Sequence, residues 1–187
     1  MQSDILTTGR PGALRRGLDM LYAVSGALSG VFLFGIAATI IAQVGGRLAG
    51  LTIDSTETAG FCLAASTFLG LAYTLRHGGH IRVTLAIRYA GPRLRRWIEL
   101  WCVTLAALAT LYFIYWAGEF VLFSWKYNEL SPGLLAIPFW IPRSAMVVGA
   151  AVFFVALVDE WVTIWRGDLP AYETNAETVL APEEPLS

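Results

Sequence analysis

The chain has 187 residues, of which 56% are hydrophobic and only 14% charged. Soluble domains carry about 25% charged residues, so a chain this apolar has too little polar surface to cover itself in water and reads as a membrane protein. The net charge of −1 points to no partner; the placement of the charges along the chain does.

Residues 1–17 are polar, with Gly and Pro, and read as a mobile tail. Arg10, Arg15 and Arg16 precede an apolar run that is uncharged from Met20 to Gly46. A signal-peptide core is about 7–15 residues, so this run is retained as a first span over residues 18–44, long enough to cross at a tilt. Gly26 and Gly30 form a G-x-x-x-G with Ser25 and Ser29 beside them. Small residues four apart admit another helix closely, and packing inside the bundle is preferred here to homodimerisation.

Residues 45–56 form a short loop. Asp54 followed by Glu57 resembles a capping box that opens a second span over 56–75. Glu57 at the positive end of a helix is read as a cap rather than as a proton or ion site. No charge separates Glu57 from Arg76, and Gly60, Ala64, Ala65, Ser66 and Gly70 offer small packing positions. Cys62 and Cys102 both lie in apolar runs and behave there as small hydrophobes; no disulfide or redox motif is present.

The charge pattern then changes abruptly. The segment RHGGHIRVTLAIRYAGPRLRR holds Arg76, Arg82, Arg88, Arg93, Arg95 and Arg96 together with both histidines, His77 and His80. Ile81 with Leu85 and Val83 with Ile87 are i,i+4 pairs, which predict a short amphipathic helix in the membrane interface. The same letters alternate like a strand, but an exposed strand edge there would leave its backbone unpaired. Gly91–Pro92 ends this segment, and Pro92 can start the next helix.

A third span is predicted over 97–124, with Trp97 and Trp101 at one interface and Trp116 and Trp125 toward the other. Glu99 falls near its first edge. Glu119 lies deeper, within snorkelling reach of the Lys126 end. Residues 125–142, with Pro132, Pro138 and Pro142, form a loop apolar enough to fold back on the bundle. A fourth span covers 141–165, and residues 166–187 form an acidic, proline-containing tail expected to be disordered.

The expected fold is therefore an all-α membrane protein: four transmembrane helices within residues 18–165 and a short interfacial helix between helices 2 and 3. Basic residues set its orientation. Arg10, Arg15, Arg16, the six arginines of the middle segment and Arg166 fall on one side; Arg47, Lys126 and Arg143 fall on the other. The positive-inside rule puts the first group, and hence both termini, in the cytoplasm.

Chemistry is sparse. His77 and His80 share one turn instead of facing each other across a bundle, as bis-histidine haem ligation needs. No phosphate-binding loop, nucleophile–base pair or paired carboxylates can be assigned, so no catalytic residue, cofactor or metal is expected. Nucleic-acid recognition has no support; the basic segment suits anionic lipids better. The span centres lack the ionisable residues, broken helices and inverted repeats that mark transport sites, which points to a subunit whose partner holds the substrate.

Glu57, then TFLGLAYTLRHGGHIRV at 67–83, with Gly70, Arg76, His80, Ile81 and Val83 in a G-x-A-x-x-x-R-x-G-x-H-I-x-V pattern, resembles the small permease (Q) subunit of tripartite ATP-independent periplasmic (TRAP) transporters. IPFWIP at 137–142, then Met146 and Gly149, resembles that family's approach to its last helix. The resemblance covers about residues 15–165. Thr84 departs from it, standing where many members carry an acidic residue. The resemblance implies a non-catalytic scaffold in the bacterial inner membrane. Its expected partners are a large sodium-coupled elevator subunit and a periplasmic binding protein that delivers a carboxylate-type solute. Glu57, Arg76, His80, Arg82, Pro138 and Trp140 are the candidate anchor and interface residues. Arg76 and His80 are expected to tie the end of span two to headgroups, the next helix or the large subunit. Pro138 and Trp140 would help present the outer loop to the binding protein, with interface anchoring an equal reading of Trp140. The alternatives are an independent redox or haem protein using His77, His80 and the cysteines, and a homo-oligomeric proton-coupled exporter working through Glu57 or Glu119.

Overall fold

A computed structural model of the chain describes residues 13–51, 55–77, 92–133 and 136–166. It contains four long helices: α1 (Ala13–Leu48), α2 (Thr56–Arg76), α3 (Pro92–Lys126) and α4 (Trp140–Arg166). All four are long and apolar enough to cross a membrane. The predicted interfacial helix lies outside the described residues. At about 1.5 Å per residue, α1 and α3 exceed a hydrocarbon core of about 30 Å, so they either tilt or project from it.

The helices form a row, α1–α2–α4–α3, with α1 and α3 as its outer members. α1 runs antiparallel to α2. α2 and α4 run parallel, as Phe61 meets Phe139, Gly149 meets Phe68, and Arg76 meets Asp159. α3 returns antiparallel to α4. A small core of Tyr22, Ala72, Leu75, Ala156 and Leu157 joins α1, α2 and α4, with Val103, Ala106 and Ala107 of α3 packed against it.

The packing inverts the water-soluble pattern. On α1 the buried or half-buried positions include Tyr22, Ser25, Ser29, Phe32, Ile36, Thr39, Gln43 and Gly46. They are spaced alternately by three and four residues, the seam of left-handed helix packing. Most of this seam is small or polar, because in lipid the contact between helices gains from close approach and hydrogen bonds. Ser25 Oγ donates to the Leu69 carbonyl (2.6 Å), Ser29 Oγ to the Ser66 carbonyl (2.7 Å), and Ser66 Oγ to the Ser29 carbonyl (2.9 Å). Gly26 lies against the Tyr73 side chain, while Gly30 faces open space. The close-approach site is thus Ser25–Gly26–Ser29, and the expected Gly26/Gly30 pair is not the contact.

Two helices end in the same way. Leu51 N–H donates to the Gly46 carbonyl and Gly50 N–H to the Arg47 carbonyl, with Gly50 at φ +75°. At the end of α3, Glu129 N–H donates to the Ser124 carbonyl and Asn128 N–H to the Trp125 carbonyl, with Asn128 at φ 46°. Both are Schellman endings, which need a left-handed residue and favour Gly or Asn there. The start of α2 corrects the capping-box expectation. Ser55 occupies the cap position without a side-chain capping bond, because its hydroxyl donates instead to Gln43 Oε1 of α1. Asp54 lies outside the described residues.

Candidate functional site

Two clusters of charged side chains stand at opposite ends of the helices. At one end, Arg76 closes α2. Its guanidinium donates to Asp159 Oδ2 of α4 (2.6 Å) and to Asp19 Oδ1 of α1 (2.8 Å). It also lies over the Tyr22 ring, 5.5 Å from the centroid. Arg15 approaches Asp159 at 3.9 Å. Arg76 and Asp159 are about 15% exposed, whereas Asp19 is 49% exposed. One planar fork thus holds three helices, a geometry that Arg supplies and Lys does not. His77, the next residue, stacks on Tyr73 with ring centroids 3.9 Å apart. Arg96, near the start of α3, donates to the Trp165 carbonyl of α4. Beside it Trp97, Leu100 and Trp165 line an apolar cleft of about 340 Å³.

At the other end, the Schellman turn brings Glu129 back over the last turn of α3. Its carboxylate accepts from Ser124 Oγ (2.9 Å) and from Arg143 of α4 (2.7 Å), and Arg143 also donates to Ser124 Oγ. The Ser124 bond and then the Arg143 guanidinium hold the Glu129 carboxyl below its ordinary value. Arg143 also lies over the rings of Phe139 (4.8 Å) and Phe120 (5.5 Å). The loop between α3 and α4 is closed by its own backbone: Ser131 N–H donates to the Ile137 carbonyl, Phe139 N–H to the Glu129 carbonyl, and Leu130 bridges Pro138. The loop is therefore fixed to both helices that it joins.

Arg76 is the hub of the first cluster. Glu57 sits in the first turn of α2 with its carboxylate against Gly133 of the α3–α4 loop; a side chain at Gly133 would overlap it. Its buried Oε2 has no hydrogen-bond partner among the described residues. Pro138 forms the bridge to Leu130, and Trp140 is the first residue of α4, 38% exposed. Glu57, Pro138 and Trp140 thus gather at the loop end, far from Arg76. His80 and Arg82 lie outside the described residues. Sequence reasoning missed Asp159, Asp19 and the Glu129–Arg143 pair. The available signal was an isolated charge of each sign at corresponding helix ends. Among the described residues, no group of three His, Cys, Asp or Glu could hold a metal.

A family model described as "Tripartite ATP-independent periplasmic transporters, DctQ component" matches residues 36–167. The chain belongs to the DctQ family. No match was found among curated proteins or among solved structures. The match takes in α2, α3 and α4 whole and the last part of α1, so both polar clusters lie within it except for the Arg15, Asp19 and Tyr22 contributions from α1. DctQ is the small component of a TRAP transporter, which works with a large membrane subunit and a periplasmic binding protein. Together with four apolar helices, the family makes this chain a multi-pass membrane protein and a transporter component.

Proposed function

We propose that this DctQ chain is a non-catalytic scaffold in the bacterial inner membrane, with both termini in the cytoplasm. It anchors a large sodium-coupled elevator subunit for uptake of a carboxylate-type solute brought by a periplasmic binding protein. The observation that carries this reading is the family match over residues 36–167. The use of polar groups supports it: Ser25, Ser29 and Ser66 bond helix to helix, and Arg76 is held by Asp19 and Asp159. These groups fasten helices together, whereas a transport pathway would leave ionisable groups facing a cavity. In the proposed orientation the Arg76 cluster is cytoplasmic, where Arg76, His80 and Arg82 tie the end of α2 to neighbouring helices, to anionic lipid or to the large subunit. The braced α3–α4 loop, with Glu57 beneath it and Pro138 and Trp140 beside it, then faces the periplasm as a firm surface for the binding protein.

The test is reconstitution. In proteoliposomes, sodium-driven uptake is expected when this chain, the large subunit and the binding protein are all present, and not from this chain alone. Uptake by this chain alone would refute the scaffold reading.

A further inference from the structure

The two outer helices of the row expose very different surfaces. On α1, the large exposed side chains between Val24 and Val44 are Val24, Leu28, Val31, Leu33, Phe34, Ile40, Ile41 and Val44, a face made for lipid tails. On α3 the exposed face holds Leu108, Tyr112, Tyr115, Glu119 and Phe123. These positions are spaced by four, three, four and four residues, so they form one stripe. Tyr112 is 68% exposed and Tyr115 63% exposed. Trp116 braces both, with ring centroids 6.3 Å from Tyr112 and 5.6 Å from Tyr115.

Depth makes this stripe anomalous for lipid. Tyrosine and tryptophan belts belong at the two membrane surfaces. Tyr112, however, lies beside the midpoint of the Arg96–Lys126 span, and tilting the helix does not move a midpoint toward a surface. The Tyr112 and Tyr115 hydroxyls and the Glu119 carboxylate make no hydrogen bond among the described residues. Hydrocarbon would leave the two hydroxyls unsatisfied, at a cost that rises toward the bilayer centre, and would oblige Glu119, nearer the Lys126 end, to snorkel toward the surface. Exposed aromatic clusters rich in Tyr and Trp are instead the composition of protein interfaces and their energetic centres.

We infer that the Leu108–Tyr112–Tyr115–Glu119 stripe of α3 is the docking surface for a membrane-spanning helix of the large subunit, one that presents a hydrogen-bond donor or cation to Glu119. This rests on the scaffold reading above and adds to it the face that is used. The choice of a polypeptide follows from charge and hydrogen-bond complementarity: the Tyr112 and Tyr115 hydroxyls stand where lipid tails offer no partner, and Glu119 adds one carboxylate to the same face. The wholly apolar face of α1 faces lipid.

The test uses the assembled complex in membranes, with a photocrosslinking benzoylphenylalanine placed at position 115 or, in a second variant, at position 34. Irradiation is expected to join position 115 to the large subunit and to leave position 34 without a protein adduct. After detergent extraction, Glu119→Ala is expected to lower the affinity for the large subunit by about three- to twentyfold, the range of one interhelical hydrogen bond in a membrane. Glu119→Gln, which keeps an acceptor, is expected to lose less. An adduct to the large subunit from position 34 alone, or an adduct between two copies of this chain from position 115, would overturn the inference while leaving the scaffold reading intact. Failure of the unmodified chain to co-purify with the large subunit would remove both.

Discussion

The closest approach between α2 and α4 depends on one missing side chain. A Cβ at Gly149 would stand 2.6 Å from the Phe68 carbonyl carbon and 2.8 Å from the Leu69 nitrogen. Both are backbone atoms of a helix and cannot rotate aside. Gly149→Ala is therefore expected to destabilise the detergent-solubilised protein by about 1–3 kcal/mol, the usual cost of overpacking. Gly30→Ala, which meets open space, should leave stability unchanged within about 1 kcal/mol; thermal unfolding of the two variants checks this. The two partners of Arg76 should also separate by burial. Asp159→Ala leaves a largely buried guanidinium short of its nearest partner, at a cost on the order of 3 kcal/mol. Asp19→Ala removes an exposed partner worth about 1 kcal/mol or less. Glu129 gives a pH signature. Its folded value lies below the ordinary 4.5, so the unfolded chain takes up the proton first. The stability that the carboxylate contributes is complete above about pH 4.5 and fades as pH falls through the lower folded value. The stability difference between the parent chain and Glu129→Gln should accordingly be flat near neutrality and shrink in acid.

Among elements, the α1–α2 hairpin is held by reciprocal serine bonds. Ser29→Ala and Ser66→Ala each remove one hydroxyl that donates to the other residue's backbone carbonyl, so each should lower the stability of the detergent-solubilised protein by about 0.6 kcal/mol, the average for such bonds in membranes; thermal unfolding with no loss in either variant would show that the bonds contribute nothing to the hairpin. The four helices were legible in the sequence because length and apolarity alone define a span. Their partners were less so. Gly26 and Gly30 look equivalent as letters, yet only Gly26 meets Tyr73, since rotation about the helix axis is set by the three–four seam. Likewise Asp54–Glu57 matched a local capping pattern, but the Ser55 hydroxyl found Gln43 twelve residues away, a tertiary bond that local sequence does not reveal. Arg76 stood out as an isolated charge at the end of an apolar run; its partners lie 57 and 83 residues distant in sequence, and only the row order brings them together.

The whole molecule is a row of four helices with large apolar side chains exposed along it, as a membrane subunit can have and a soluble domain cannot. Its orientation rests on the asymmetry of basic residues. A cysteine introduced at Asn128, in a background lacking Cys62 and Cys102, is expected to react with an impermeant thiol reagent added to the periplasmic side. Labelling only after the cytoplasmic side is opened would invert the topology proposed above. The row also explains why substrate chemistry was not legible. The polar groups of its two end clusters and of the α1–α2 seam join helices to one another, so they carry no mark of a solute.

Synthesis order gives the Arg76 fork a further consequence. Asp19 precedes Arg76 on the ribosome, whereas Asp159 follows it by 83 residues. At about 5–20 residues per second, the second partner arrives some 4–17 s after the first pairing becomes possible. During that interval Asp19 is the Arg76 partner already synthesised, so a weak pair in the finished protein acts as a placeholder for a nascent charge in the membrane. Asp19→Asn is then expected to reduce the yield of correctly inserted chain, measured by pulse labelling, more than it reduces the stability of the chains that have matured.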